Sequence, residues 1–407
     1  MTQELTPRRE LLLLLTLAGV QFTHILDFMI MMPLGPQFTS LFGITDAQFG
    51  LLVSAYTLAA GASGLLATTY IDRFDRKRLL LVLYTGFGLA TLACGLAGSY
   101  ASLMAARVAA GLFGGVMSAL SQTIVADVIP FARRGRAMGI VMTSFSVSTV
   151  AGVPLGLFLA AHLSWHAPFF GIAALCALLA LMAAWTLPPL GAHLADQTGR
   201  SMFASTRQVL ADPNHLKAFG FSALMMTAGF TVIPYITIYM RANVGLSADQ
   251  IPTIYLVGGL LTLFTARLFG HMTDRRGKVE TFRLLAVGMI VPLLTLTLLG
   301  RQPMAVVLVV SSLLFALMSG RMIPGMAIVA SAADPKLRGT FMTLNASVQS
   351  AAMGLAAFVG GLIISRDASG AVTHYWMAAL LGSCASLAAL ALAGRLTLHG
   401  AAHPAKA

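Results

Sequence analysis

The feature that most constrains this chain is a recurrence. Apolar stretches of about 20 residues, the length that carries an α-helix across a bilayer core, follow one another with short polar segments between them. Hydrophobic residues make up 57% of the 407 and charged residues only 10%, against roughly 25% charged in a soluble domain. In hydrocarbon a backbone must satisfy its own hydrogen bonds, so such stretches cross as helices. The spacing predicts twelve, at 10–38, 47–69, 79–98, 101–127, 137–161, 166–187, 217–243, 247–269, 281–299, 303–330, 340–365 and 373–397. The expected fold is an all-α membrane protein of twelve transmembrane helices arranged as two six-helix bundles. The N-terminal bundle takes 1–187, a cytoplasmic linker 188–216, the C-terminal bundle 217–398 and a cytoplasmic tail 399–407. Within the linker, "RSMFASTRQVL" is weakly amphipathic and suits a helix lying on the membrane surface. The first apolar run follows two arginines, as a signal peptide would, but it is too long and carries His24 and Asp27, so a retained first helix is expected.

The net charge of +12 does not point to nucleic acid, because the bases cluster in short segments between apolar runs. With the N-terminus inside, the outer loops hold only Arg241, Arg301 and Arg366, and Arg107, Arg267 and Arg321 fall within spans; the other 20 of 26 bases lie on the inner side. That bias places both termini in the cytoplasm of a multi-pass cell-membrane protein. Cys94, Cys176 and Cys384 all lie in apolar runs, far apart, and form neither a disulfide framework nor a metal spacing. His162 and His166 are four apart in a short outer loop with no carboxylate beside them, so no metal site is expected.

One charged phrase is written twice. "YIDRFDRKRLLL" (70–81) and "HMTDRRGKVETF" (271–282) each place a base four residues after the Asp of an Asp-Arg pair, 202 residues apart. Each falls between the second and third helices of a half. "PFARRGRAM" and "PKLRGTFM" likewise each follow a fourth helix. A six-helix unit is used twice, and parallel repeats of this kind place a substrate site between the halves near mid-membrane. The acids within the phrases exceed what a topology signal needs. Asp72, Arg73, Arg76, Asp127, Asp274, Arg275 and Lys278 are therefore read as a conformational latch, with Arg76 and Lys77 able to bond helix-end carbonyls or an acid such as Asp127.

Of the 14 acids only Asp27 lies deep within a span. An ionised Asp there costs about 2.5–3.5 kcal/mol, which is tolerated where the group faces a cavity and works. Gln21, His24 and Asp27, spaced by three, form a polar stripe on one face of helix 1. Arg107 in helix 4 can bias Asp27 electrostatically. Arg321 in helix 10 can hold an anionic or polar substrate group, or snorkel to the surface. Asn345 and Gln349, four apart in helix 11, offer neutral hydrogen bonds on one face. Gly152, Pro154 and Gly156 weaken the ladder of helix 5 and let neighbours approach where the halves meet.

These residues resemble the major facilitator superfamily over nearly the whole chain. That family's loop between helices 2 and 3 carries G-x-L-a-D-R-x-G-R-[RK]; "TTYIDRFDRKR" keeps Asp72, Arg73, Arg76 and Lys77 but has Thr68 and Asp75 at the two glycine positions. The second copy, "GHMTDRRGK", keeps Gly270 and Gly277. "RVAAGLFGG", with Arg107 and Gly111, looks like the signature of proton-coupled members. "AGVPLG" (151–156) is similar to the helix-5 motif of the antiporter branch, in the variant of sugar, purine and drug exporters. "LDFMIMMPLG" resembles a multidrug-exporter segment, with Asp27 at the acid position and Pro33 near its proline.

The resemblance implies a secondary transporter, not an enzyme, exporting a small organic molecule against protons by alternating access. Proton coupling would fall to Asp27, Arg107 and His24, and substrate binding to Gln21, His24, Asp27, Arg321, Asn345 and Gln349. The expected partners are the substrate, protons and the lipid bilayer. No cofactor is expected beyond the proton gradient, and the chain is expected to act as a monomer. Uptake by symport is the alternative. A membrane enzyme would need clustered acid/base or metal ligands at membrane depth, and the spans offer none apart from His24 with Asp27.

Overall fold

The computed structural model describes residues 6–191, 194 and 202–399, apart from the side chains of residues 68, 72, 131, 132 and 202–204. Twelve helices among them are long and apolar enough to cross a membrane. In chain order, helices 1–6 are Pro7–Ile30, Asp46–Ala67, Arg76–Gly95, Tyr100–Val128, Arg133–His162 and Ala167–Thr186. Helices 7–12 are Pro213–Val244, Ile251–Arg276, Lys278–Thr297, Met304–Ala332, Arg338–Ile363 and Tyr375–Ala393. Two faces follow from this alternation: a termini face and a distal face. The C-terminal tail lies outside the described residues beyond His399, as do 192–193 and 195–201 of the linker.

The departures from the expected boundaries have local causes. Helix 1 stops at Ile30, eight residues short of expectation, and the chain turns through 31–34 before a short helix, Gly35–Phe42. Pro33 has no N–H to continue the ladder. The second copy of the charged phrase is not a loop. Helix 8 runs on through Arg276, and Gly277 alone, at φ +87°, reverses the chain into helix 9. That left-handed conformation suits glycine because it has no Cβ. In the first copy a 3₁₀ turn, Ile71–Arg73, precedes helix 3. Helix 7 is interrupted after Phe230 by a 3₁₀ turn, Ile233–Tyr235, built on Pro234. The helix Met202–Ala211 does form, and its Val209 is buried with Phe219 and Phe341 of the C-terminal bundle. A two-stranded hairpin, Ser365–Arg366 with Val372–Thr373, caps the distal face; no sequence signal had suggested it.

The two bundles meet along two seams. Helix 2 packs on helix 11 along its length, and helix 5 packs on helix 8. Exchanging the halves maps one seam onto the other, as a pseudo-two-fold axis requires. Glycines bring helices 2 and 11 together: a Cβ at Gly61 would lie 3.1 Å from the Ser347 carbonyl, and one at Gly354 would lie 2.7 Å from Thr57 Oγ1. The Ser54 hydroxyl donates across the seam to the Gly354 carbonyl at 2.6 Å. Phe28 and Phe230, 202 residues apart, stack at 6.0 Å between centroids.

The seam is tightest on the distal side. There Phe49 packs edge-on against Tyr235, with centroids 6.1 Å apart. Arg366, in the hairpin, donates from Nε and Nη2 to the two Asp46 oxygens at 2.9 and 2.8 Å. Towards the termini face helices 5 and 8 part: helix 5 meets helix 8 through 148–162, while 131–147 barely touches it.

Candidate functional site

The polar stripe on helix 1 is present, and it points at helix 4 of its own bundle. Gln21 and Ser118 exchange hydrogen bonds, Gln21 Nε2 donating at 3.0 Å and Ser118 Oγ donating back at 3.2 Å. A Cβ on Gly114 would lie 3.1 Å from the His24 ring. Asp27 receives Arg107 Nη1 on Oδ2 at 2.7 Å and the Thr91 hydroxyl on Oδ1 at 3.2 Å. The Arg107 guanidinium lies over the Tyr56 ring, 4.4 Å from its centroid, where the negative face of the ring attracts a cation. Helices 1, 2, 3 and 4 thus each give one side chain to a single buried charge pair. Gly111 makes this possible, since a Cβ there would strike the Tyr56 carbonyl and push helix 4 away from helix 2.

Both Asp27 and Arg107 have side chains at 0% exposure. In this conformation Asp27 and Gln21 spend their polar atoms on Arg107, Thr91 and Ser118 of their own bundle, so the expectation that these two contact substrate is corrected. The three-residue spacing was read correctly as one face, but helix 4 covers that face. His24 differs. It is only half-buried, its ring lies 6.2 Å from that of Tyr56 and 6.0 Å from that of Phe87, and its Nδ1 has no partner.

The charged phrase at 70–81 closes onto its own bundle. Arg76 pairs with Asp127 at the end of helix 4. Lys77 Nζ donates to the Leu187 carbonyl just past helix 6 at 2.7 Å, where the helix dipole favours a cation. Asp75, at a family glycine position, is used twice. Its Oδ1 caps helix 3 by accepting from the Arg78 N–H at 2.9 Å, and its Oδ2 accepts from the Leu190 N–H at 2.7 Å. In the second half Lys278 Nζ bonds Ser331 Oγ at 2.5 Å, also within one bundle. Arg73, Asp274 and Arg275 are exposed, and the Asp72 side chain lies outside the described residues. A latch that clasps the two bundles together is thus not formed by these contacts here. The distal pair Asp46–Arg366 is the ion pair that crosses between bundles among the described side chains, and sequence reading had passed over both residues as loop charges. The depression beside it, about 910 Å³, is lined by Thr39, Asp46, Arg241 and Arg366 among others.

In helix 5, Ser148–Gly152 is a π-helical turn. Pro154, with no N–H, follows as the straight ladder resumes at Val153. Gly152 and Gly156 face helix 1 rather than the other bundle: a Cβ would lie 2.9 Å from Leu26 and 2.6 Å from Ile30, respectively. The opposite side of the turn meets helix 8, where a Cβ on Gly259 would lie 3.1 Å from Val150 Cα.

Three residues were expected in a site on the second bundle. Gln349 is half-buried, with Nε2 3.5 Å from Met326 Sδ of helix 10. Asn345 is buried, and its Oδ1 has no partner, so the two do not share an equally open face. Arg321 does not snorkel. It is 2% exposed, and Nη2 donates to the Met225 carbonyl at 2.8 Å.

Comparison with known proteins agrees with this architecture. The sequence model of the Major Facilitator Superfamily matches residues 17–357 and 218–406. An uncharacterized MFS-type transporter of Bacillus subtilis, YceJ, is 25% identical over 359 residues, covering 88% of this chain and 90% of that one. A chloramphenicol resistance protein of Streptomyces lividans is 27% identical over 360 residues, covering 87% and 89%. The crystal structure of a D-xylose-proton symporter superimposes with a TM-score of 0.75 over 96% of this chain and 98% of that one, at 16% identity.

Proposed function

The chain belongs to the Major Facilitator Superfamily, and we propose that it is a proton-coupled exporter of a small organic molecule, working by alternating access. The observation that carries the proposal is the Asp27–Arg107 pair. It is the acid deepest in any span, it is shut from water here, and it lies one residue from Phe28 at the contact between the bundles. A proton arriving at Asp27 would cancel the carboxylate charge and leave Arg107 to seek another partner. The local packing of helices 1–4 then differs between the two protonation states, as a coupling element requires. Each proton crossing a 100 mV potential supplies about 2.3 kcal/mol. His24, one turn away, has a buried Nδ1 with no hydrogen-bond partner, which supports a role in passing the proton on.

The bases on the termini face support reading that face as cytoplasmic, in a cell membrane. On that reading, the Asp46–Arg366 pair closes the outer side. Gln349, Asn345 and Arg321 are the substrate contacts proposed for the second bundle. Efflux is favoured over symport by "AGVPLG" in helix 5 and by the relative that confers chloramphenicol resistance. The fold alone is shared with a symporter.

The test is transport in proteoliposomes with an imposed pH gradient, across a panel of small organic compounds. Expected is accumulation on the acidic side, driven by the gradient and collapsed by a protonophore. Transport with the same rate whether or not a gradient is present would end the proposal.

A further inference from the structure

In the first bundle the buried guanidinium has an acid. In the second it has none. Arg321 spends one N–H of Nη2 on the Met225 carbonyl at 2.8 Å, while Nε and Nη1 are buried with no partner. The second N–H of Nη2, together with that of Nε or Nη1, leaves a two-pronged edge unused. A shift of 202 residues maps Asp72 onto Asp274 and "FGITDAQ" (42–48) onto "VGLSADQ" (244–250). The same shift puts Gly229 where Asp27 stands, and the next pair it relates, Phe28 and Phe230, stack on each other at 6.0 Å. Gly229 lies against the guanidinium: a Cβ there would sit 3.4 Å from Arg321 Nη2. The same shift puts Val309, not Arg321, where Arg107 stands, so Arg321 is the second bundle's own cation, and it comes without an acid. That bundle's acids, Asp249, Asp274, Glu280, Asp334 and Asp367, lie at helix ends or in loops and supply no counter-charge at this depth.

We propose that the missing acid is brought by the transported molecule: Arg321 anchors a carboxylate, and the substrate class is organic monoanions. This deepens the transport reading and rests on it. The two oxygens of a carboxylate match the open edge of the guanidinium, and one negative charge neutralises one buried positive charge. A Cβ at Gly229 would lie 2.7 Å from Met318 Cε, so room beside the guanidinium is made by moving the flexible end of that side chain. The neighbouring Phe230 lies in the contact between bundles, so parting the Phe28–Phe230 stack opens a route to the guanidinium.

The experiment is equilibrium binding to the purified full-length protein with no gradient, followed by thermal shift and titration calorimetry. The probes are benzoate, phenylacetate and hexanoate, each paired with its primary amide, and phenyl phosphate. Carboxylates should bind and their amides should not, and Arg321→Met should weaken carboxylate binding by at least about tenfold. Gly229→Asp, which supplies an internal counter-ion, should abolish carboxylate binding in a protein that still folds. Equal binding of acids and amides, binding unaffected by Arg321→Met, binding of phenyl phosphate alone, or a panel that binds nowhere would each overturn the inference. So would a folded Gly229→Asp protein that still binds carboxylates as wild type does. A protein that binds carboxylates through Arg321 but transports without regard to pH would uphold this inference and end the coupling proposal.

Discussion

Breaking the distal ion pair should open the distal face, and the structure sets the size of the effect. The Asp46 carboxylate is 4% exposed and accepts two bonds from Arg366, which is 38% exposed. Those bonds hold the Arg366 guanidinium above its already high range, so it stays charged. Exposed pairs contribute about 0–1 kcal/mol, and removing one partner of a buried pair costs about 3–5 kcal/mol. With one buried partner and one partly exposed, Asp46→Asn should cost the closed state about 1–3 kcal/mol, a 5- to 150-fold shift toward distal-open. Spin labels at Ser40 and Asp249, both exposed on the distal face of opposite bundles, would report the change by pulsed electron resonance once the three cysteines are replaced by alanine. Asp46→Asn and Arg366→Gln should each lengthen the distance, and the double variant should go no further than the stronger single one. Unchanged distances in both single variants, or two effects that simply add, would refute the lock.

Other perturbations separate packing from charge. Gly111→Ala drives a methyl into the Tyr56 backbone and should destabilise by about 1–3 kcal/mol, whereas Gly139→Ala, which meets nothing, should be neutral or slightly stabilising in a melting assay. Asp127→Asn should destabilise by about 1–3 kcal/mol, because Asp127 is 36% exposed but its removal leaves Arg76, 10% exposed, without that carboxylate. Arg107→Gln alone should cost about 3–5 kcal/mol by stranding Asp27. The Asp27→Asn/Arg107→Gln double variant should regain much of that loss, and failure to regain it would show that the pair is not the dominant interaction there.

The fold was legible because its two determinants are one-dimensional. Apolar length predicts a span, and a phrase repeated after 202 residues predicts a duplicated bundle. The boundaries that went astray depend on single residues: Pro33 ended helix 1 early, and Gly277 packed into one residue a turn that its charges suggested was a loop. Asp27 stood out as the lone deep acid, and Arg107 as its neighbour. Which way their face pointed was not legible, since spacing defines a stripe but not the helix that covers it. Thr91 and Tyr56 left no signal at all: a threonine and a tyrosine in apolar runs are ordinary until helices 2 and 3 bring them to the charge. Asp46 and Arg366, 320 residues apart, each read as a loop charge and acquire meaning only when the bundles close.

Coupling requires Asp27 to take up and release a proton as the bundles rock. Infrared difference spectroscopy on the purified protein, comparing wild type with Asp27→Asn across a pH titration, measures this without knowing the substrate. A protonated-carboxyl band that grows as pH falls in wild type and is missing from Asp27→Asn is the predicted result. An identical band in both proteins, or none in wild type at any pH at which it stays folded, would contradict it.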